Sequence, residues 1–211
     1  MVTYINISEI LFIYKMLNII AARCRNRGIG LAGTLPWRFK KDLQYFKDLT
    51  IGDGNNAVVV GNSTYKRLPC LPKRDTLVLT NNTDTKTYID NVYYFNSIPS
   101  LHEFCEKKQY MDVWVAGGEN VYKQFLADPK VNSIYLTDID IDVPCDTYFP
   151  HIPPIFTLAS ISRETERGID LNFQIYKRPL RSKPLYHQFK GSMVSPHSSI
   201  PSTFMPTGLN I

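Results

Sequence analysis

Between residues 17 and 178 the chain switches repeatedly between short, wholly apolar runs and longer amphipathic stretches. Residues 17–23 are apolar and read as a strand, and a loop with three glycines follows over 25–36. Phe39, Leu43, Phe46 and Leu49 recur at helical spacing, which predicts a helix over 39–50 with one apolar face. Residues 57–61 read as a buried strand, and Ser63 or Thr64 can cap the short helix that follows. Residues 76–80 and 92–95 are further strands, and 97–108 is an amphipathic helix. A strand over 112–116 ends at Gly117-Gly118, which opens a helix to Leu126. The last strands are 134–138 and the alternating pair 156–163 and 171–177 around Gly168, which predicts an antiparallel hairpin. Strands alternating with helices imply an α/β domain built on a predominantly parallel sheet with helices on both faces. The closing hairpin places an antiparallel strand at or near one edge.

Composition adds boundaries. The chain has 211 residues, 44% of them apolar and 20% charged, with a formal charge of +5. That balance excludes wholesale disorder and fits one domain with tails. No apolar run approaches the roughly 18 residues of a membrane span. The cysteines Cys24, Cys70, Cys105 and Cys145 have neither zinc nor redox-pair spacing. No metal site is therefore expected. Four reduced thiols and no signal peptide point to a cytoplasmic protein, with the nucleus as the alternative compartment. Residues 179–211 carry five prolines, six serines, three cations and no acid. They read as a flexible basic tail, too sparsely charged for a nucleic-acid arm. Residues 1–15 read as an extension before a domain at 16–178. Either Met16 is the working start, or the extension is a short helix packed on the domain surface.

Two groups carry candidate chemistry. Gly117-Gly118 joins an apolar strand to a helix, the arrangement that presents backbone N–H groups to a phosphate, or simply a tight turn. No GxGxxG follows a strand, so a Rossmann fingerprint is absent. Leu35-Pro36-Trp37 precedes the helix on which Asp42 shares a face with Phe46. A carboxylate in an apolar stripe has two readings. It lies at the edge of the stripe or in a salt bridge, or it is held in an apolar pocket to bind a cationic or amide-like group.

Taken together, these residues resemble dihydrofolate reductase. The matching segments run in order: Leu17–Ala22, Gly28-Ile29-Gly30 through Gly33–Trp37, Asp42–Phe46, Val60-Gly61 with Thr64-Tyr65, and Leu71–Arg74. They continue with Val113–Gly118 and Val121-Tyr122, then Leu136-Thr137 and Asp146–Pro150. The resemblance implies that family's single domain with an eight-stranded sheet. It also implies NADPH-dependent reduction of 7,8-dihydrofolate to tetrahydrofolate, in the service of one-carbon metabolism. The expected partners are dihydrofolate and NADPH, with no nucleic acid or membrane, and the protein is expected to be a monomer.

By the same resemblance, Asp42 serves the pterin edge, Trp37 orders a water and Thr137 bonds the carboxylate side. Ile20, Ala22, Leu43, Phe46, Leu71 and Ala116 border the substrate, and Arg74 pairs with its glutamate α-carboxylate. Ala22, Ile29 and Leu35 meet the nicotinamide end of the cofactor. Gly61, Thr64 and Thr80 lie along its length, and Gly117, Gly118, Glu119, Asn120, Val121 and Tyr122 form the turn at its pyrophosphate. The Gly117–Gly118 bond is expected to be cis, and residues 25–35 to form a lid facing Asp146. The segments where this family grips a 2′-phosphate are neutral here: Asn62-Ser63, Thr80-Asn81 and Asn96-Ser97. Lys66 and Arg67, a turn further along, are expected to face solvent. Lys86 or His102 could supply a cation from elsewhere. Two rival readings are a pyrimidine reductase of riboflavin synthesis and a catalytically silent relative kept for binding. Leu35-Pro36-Trp37 and Asp42 count against the first. Asp42, Trp37, Phe46, Arg74 and Thr137 together count against the second.

Overall fold

The apolar run from Leu17 becomes β1 (Leu17–Cys24), a strand flanked on both sides by others. The computed structural model describes residues 17–81 and 89–179, within one compact unit that ends at Pro179. After β1 come β2 (Gly28–Gly30), α1 (Lys40–Ile51), β3 (Ala57–Gly61), α2 (Asn62–Tyr65), β4 (Asp75–Leu79) and β5 (Val92–Phe95). Then follow α3 (Ile98–Lys108), β6 (Val113–Val115), α4 (Glu119–Leu126), β7 (Ser133–Ile139), β8 (Thr147–Tyr148), β9 (Thr157–Glu166) and β10 (Ile169–Lys177). Eight strands form one sheet in the order β5-β4-β3-β6-β1-β7-β10-β9. All neighbouring pairs from β5 to β7 are parallel, and β10 runs antiparallel to both β7 and β9. The antiparallel hairpin thus closes one edge, as the alternation around Gly168 predicts.

Alternation along the central strands explains the two layers of helices. Ala57 and Val59 join a cluster with Leu101 and Cys105 of α3 and Val121 and Phe125 of α4. Val58 and Val60 point the other way, into a cluster with Trp114, where Phe46 and Leu49 of α1 and Tyr65 of α2 pack. Successive side chains of a strand face opposite sides, so a wholly apolar strand needs a helical layer on each.

Local chemistry departs from the sequence reading at the cap of α2 and in the glycine loop, and adds a cap for α1. The N-cap position of α2 is Gly61, without a side-chain cap, rather than Ser63 or Thr64. Phe39, at the N-cap position of α1, also lacks one. The first amides of α1 are instead met by Glu166 at the end of β9, whose carboxylate accepts from Lys40 N at 3.0 Å and Lys41 N at 2.9 Å. The glycine loop is not wholly irregular: Gly28 and Gly30 pair with Tyr148 and Thr147 of β8 as a two-stranded ribbon. The two tails, and Lys86, lie outside the described residues.

Candidate active site

Parallel strands end on a common side of a sheet, and their carboxyl ends leave a crevice. Here a cavity of about 1060 Å³ runs along those ends. Strand order fixes its layout. Asn96 and Ser97 follow β5, Thr80 and Asn81 follow β4, and Gly61 with Asn62 and Ser63 marks the end of β3. Ala116 follows β6, Ile20 and Ala22 come from β1, and Thr137 from β7. The cavity therefore extends from a neutral polar end at β4 and β5 to an end bounded by Thr137 and Asp42.

Asp42 is 8% exposed, in the first turn of α1. Burial pushes its carboxyl up to about 6, the hydrogen bond with Thr137 works against the rise, and nearby Glu166 adds to it. Thr137 is itself buried. Tyr45, one turn of helix away, is pushed up to about 12, chiefly by burial. Leu43 and Phe46 line the cavity beside Asp42. Leu43 is 40% exposed because its side of α1 borders the cavity rather than the core. The arrangement is a carboxyl in apolar surroundings, able to accept two N–H bonds from a flat amidine-like edge.

The turn from β6 into α4 is built to admit a backbone-sized group. The Gly117–Gly118 peptide is cis, and Gly117 has φ 114°, a conformation side chains rarely adopt. A Cβ at Gly117 would lie 3.1 Å from the Tyr122 ring, and one at Gly118 would lie 3.1 Å from Thr64 Oγ1. The carbonyl of Gly117 accepts from Gly61 N at 2.7 Å, which holds the two strand ends together. Tyr122 is buried and donates its hydroxyl to the Ile20 carbonyl at 2.8 Å. The start of α4 thus lies across from the β3 turn, and a helix start is suited to phosphate oxygens.

A flap lies over the opposite wall. Leu31 and Thr34 exchange backbone hydrogen bonds at 2.9 and 3.0 Å, with Gly33 at φ 75° between them. Asp146 N donates to Gly30 O at 3.0 Å, and the Asp146 carboxylate accepts from Ala32 N at 2.8 Å. The Ala32 amide, helped by the Thr147 hydroxyl and by Arg67, holds Asp146 below the usual carboxylate range. Glu119, in the first turn of α4, accepts from Tyr148 N at 3.1 Å, so the facing loop is tied to the phosphate turn as well.

Of the residues singled out from the sequence, Ile20, Ala22, Asp42, Leu43, Phe46, Ala116 and Thr137 line one end of the cavity. Ile29, Leu35, Gly61, Thr64, Thr80, Gly118, Glu119, Asn120, Val121 and Tyr122 line the rest. Gly117 sits just behind it. Trp37 is half-buried, packs against the cluster of Phe39, Ile139, Leu171 and Phe173, and has a buried Nε1 without a protein partner among the described residues. Leu71 packs in the wall with Phe46 and Leu49. Arg74 is buried in the same wall, its Nη1 donating to Thr50 Oγ1 and its guanidinium 5.9 Å from the centre of the Phe46 ring. Burial lowers the Arg74 pKa.

One expectation holds only in part: Arg67 is exposed, but solvent is not all it faces. It lines the cavity, and its guanidinium lies against Gly33 where a Cβ would otherwise be. The turn after α2 still bonds back to Asn62 and Thr64, and a side chain as long as arginine can reach from it to the neighbouring loop. His102 is not the missing cation of the cavity, because its Nε2 is 2.7 Å from Asp128. Sequence reasoning also passed over Leu68 and Pro69, which line the cavity. Their only signal is that they follow the Thr64-Tyr65 segment.

A profile of the family described as Dihydrofolate reductase matches residues 16–178. The chain is 34% identical over 179 residues to the dihydrofolate reductase of Heliothis virescens, covering 77% of this chain and 97% of that one. It is 32% identical over 182 residues to the dihydrofolate reductase of Aedes albopictus, covering 78% and 98%. It is 34% identical over 148 residues to a bifunctional dihydrofolate reductase-thymidylate synthase of Zea mays, covering 64% of this chain and 28% of that one.

Proposed function

The chain belongs to the dihydrofolate reductase family, and from that premise we propose that it catalyses dihydrofolate + NADPH + H⁺ → tetrahydrofolate + NADP⁺. The observation that carries the reading is Asp42, buried at one end of the cavity beside Thr137 with its carboxyl raised to about 6. The glycine turn supports a dinucleotide along the other end, because it brings the start of α4 close to Thr64 with no side chain between them, at a helix start suited to a phosphate. When bound, the reduced nicotinamide supplies the hydride.

Each residue has a separable task. Asp42 accepts two hydrogen bonds from the amidine edge of the pterin, and its charge makes the ring nitrogen beside the reacting carbon easier to protonate. Thr137 orients that carboxylate. Trp37 offers its buried Nε1–H to a water that can deliver the proton. Ala22, Ile29 and Leu35 shield the reacting faces from bulk solvent, where charge separation is better screened. Ile20, Leu43, Phe46 and Ala116 enclose the pterin and its aromatic tail, with Leu71 behind them, and Arg74 is assigned the glutamate α-carboxylate. Gly61, Thr64, Gly117, Gly118, Glu119, Asn120, Val121 and Tyr122 seat the pyrophosphate and ribose, and Thr80 the far end. One chain supplies both halves of the cavity, which supports a monomeric enzyme. No helix among the described residues is long and apolar enough to cross a membrane.

The test is loss of absorbance at 340 nm when NADPH and dihydrofolate are mixed with the full chain. Substrate-dependent oxidation of NADPH, blocked by an antifolate, is the expected result. A chain that binds NADPH but never oxidises it in the presence of dihydrofolate overturns the reading in favour of a silent relative.

A further inference from the structure

Arg67 has no part in the assignment above, yet it is the one cationic side chain lining the cavity among the described residues. Both proposed ligands are anionic, so its position decides which of them it serves. The neutral pairs Thr80-Asn81 and Asn96-Ser97 lie beyond β4 and β5, at the outer end of the strand order. Arg67 reaches the other way, across the mouth to Gly33 in the loop that follows β1 and β2. It precedes Leu68, which packs against the same apolar cluster as Phe46 and lines the cavity with it, and Pro69, which also lines the cavity. A flat aromatic tail leaving the Asp42 end past Phe46 and Leu68 would come within reach of this guanidinium. Arg74, assigned the α-carboxylate, sits deeper, buried and bonded to Thr50.

We propose that Arg67 is a specificity-determining residue that binds the second, outer carboxylate of the substrate's glutamate tail at the cavity mouth. This rests on the folate reading of the site. The guanidinium is exposed, always charged and presents paired N–H donors that match a carboxylate. Gly33 gives it room, because a side chain there would collide with the guanidinium. The carboxylate of Asp146, whose acidity Arg67 increases, keeps the flap in place beneath it. A substrate ending before the glutamate would lose the contact.

Arg67→Gln and Arg67→Lys test this in the full chain, with dihydrofolate and with a methyl-dihydropterin that lacks the tail. The expected result for Arg67→Gln is a dihydrofolate KM raised about tenfold, with kcat little changed, and partial rescue by lysine. KM for the tail-less pterin and Kd for NADPH should not move, and raised salt should shrink the difference between wild type and Arg67→Gln. An equal rise for the tail-less pterin would make Arg67 a strap for the flap and overturn the proposal. A weaker NADPH Kd with an unchanged dihydrofolate KM would assign the cation to the cofactor's phosphates and also overturn it. If wild type itself fails to reduce either pterin, the folate reading falls, a result distinct from all of these.

Discussion

Asp42 places function and stability in opposition at a single residue. Its carboxyl is raised to about 6 in the folded protein, mainly by burial, against about 4 in an unfolded chain. Between pH 4 and 6 the folded state therefore holds a proton that the unfolded state has released. Stability of the ligand-free protein should fall as pH rises through that window and level off above it, by up to about 1.4 kcal/mol per pH unit. Asp42→Asn should abolish this slope and raise the melting temperature at pH 7 by about 4–8 °C, corresponding to about 2 kcal/mol. The same variant should bind NADPH normally yet lose about 10²–10⁴-fold in turnover, the loss shrinking as pH falls and solvent supplies the proton. Thermal melts from pH 4 to 8 and steady-state kinetics check both halves. Arg74→Leu should raise the dihydrofolate KM far more than it lowers kcat, since the tail is remote from the reacting carbons.

At the scale of elements, the start of α1 is held by a strand more than a hundred residues away. Glu166 accepts two α1 amides and also raises the Asp42 carboxyl. Glu166→Gln should keep part of the cap while shifting the acid limb of the pH–rate profile to lower pH, because a negative neighbour is removed. Glu166→Ala should also cost about 0.5–2 kcal/mol in a melt, the usual range for a lost cap. Gly117→Ala should weaken NADPH binding and lower stability by about 1–3 kcal/mol, from its left-handed φ and the Tyr122 ring. Which of these features the sequence discloses follows from how local they are. The strand at 57–61, the amphipathic face of α1 and the Gly117-Gly118 turn are written in neighbouring residues and are legible there. The Glu166 cap is not, because no local pattern marks an acid as the partner of amides from another element. The reach of Arg67 to Gly33 is not legible for a related reason: its exposure follows from local spacing, but its contact belongs to a loop more than thirty residues earlier. Asp42 stayed ambiguous until its partner from β7 was in view.

For the whole molecule, strand order sets what the cavity can discriminate. Its outer end, beyond β4 and β5, is lined by neutral side chains among the described residues. Without two charge-assisted contacts, preference for NADPH over NADH should be about 10–30-fold smaller than with them. Comparing kcat/KM for both cofactors at two salt concentrations checks this. A preference above about 10³-fold that collapses in high salt would place a cation at that end and refute the expectation.

The same strand order governs the timing of assembly during synthesis. β1 is made first, yet its neighbours are β6 and β7, with Leu17 opposite Val113 and Asn18 opposite Ser133. At about 5–20 residues per second, a ribosome leaves this apolar strand without its sheet partners for roughly 5–20 s. Over that interval the nascent chain can pair β3 with β4 and β4 with β5, but the centre of the sheet stays open. Half of the protein must therefore wait, with this apolar segment exposed, for the other half to arrive. Chaperone demand should be concentrated in that interval and should end once β7 clears the exit tunnel.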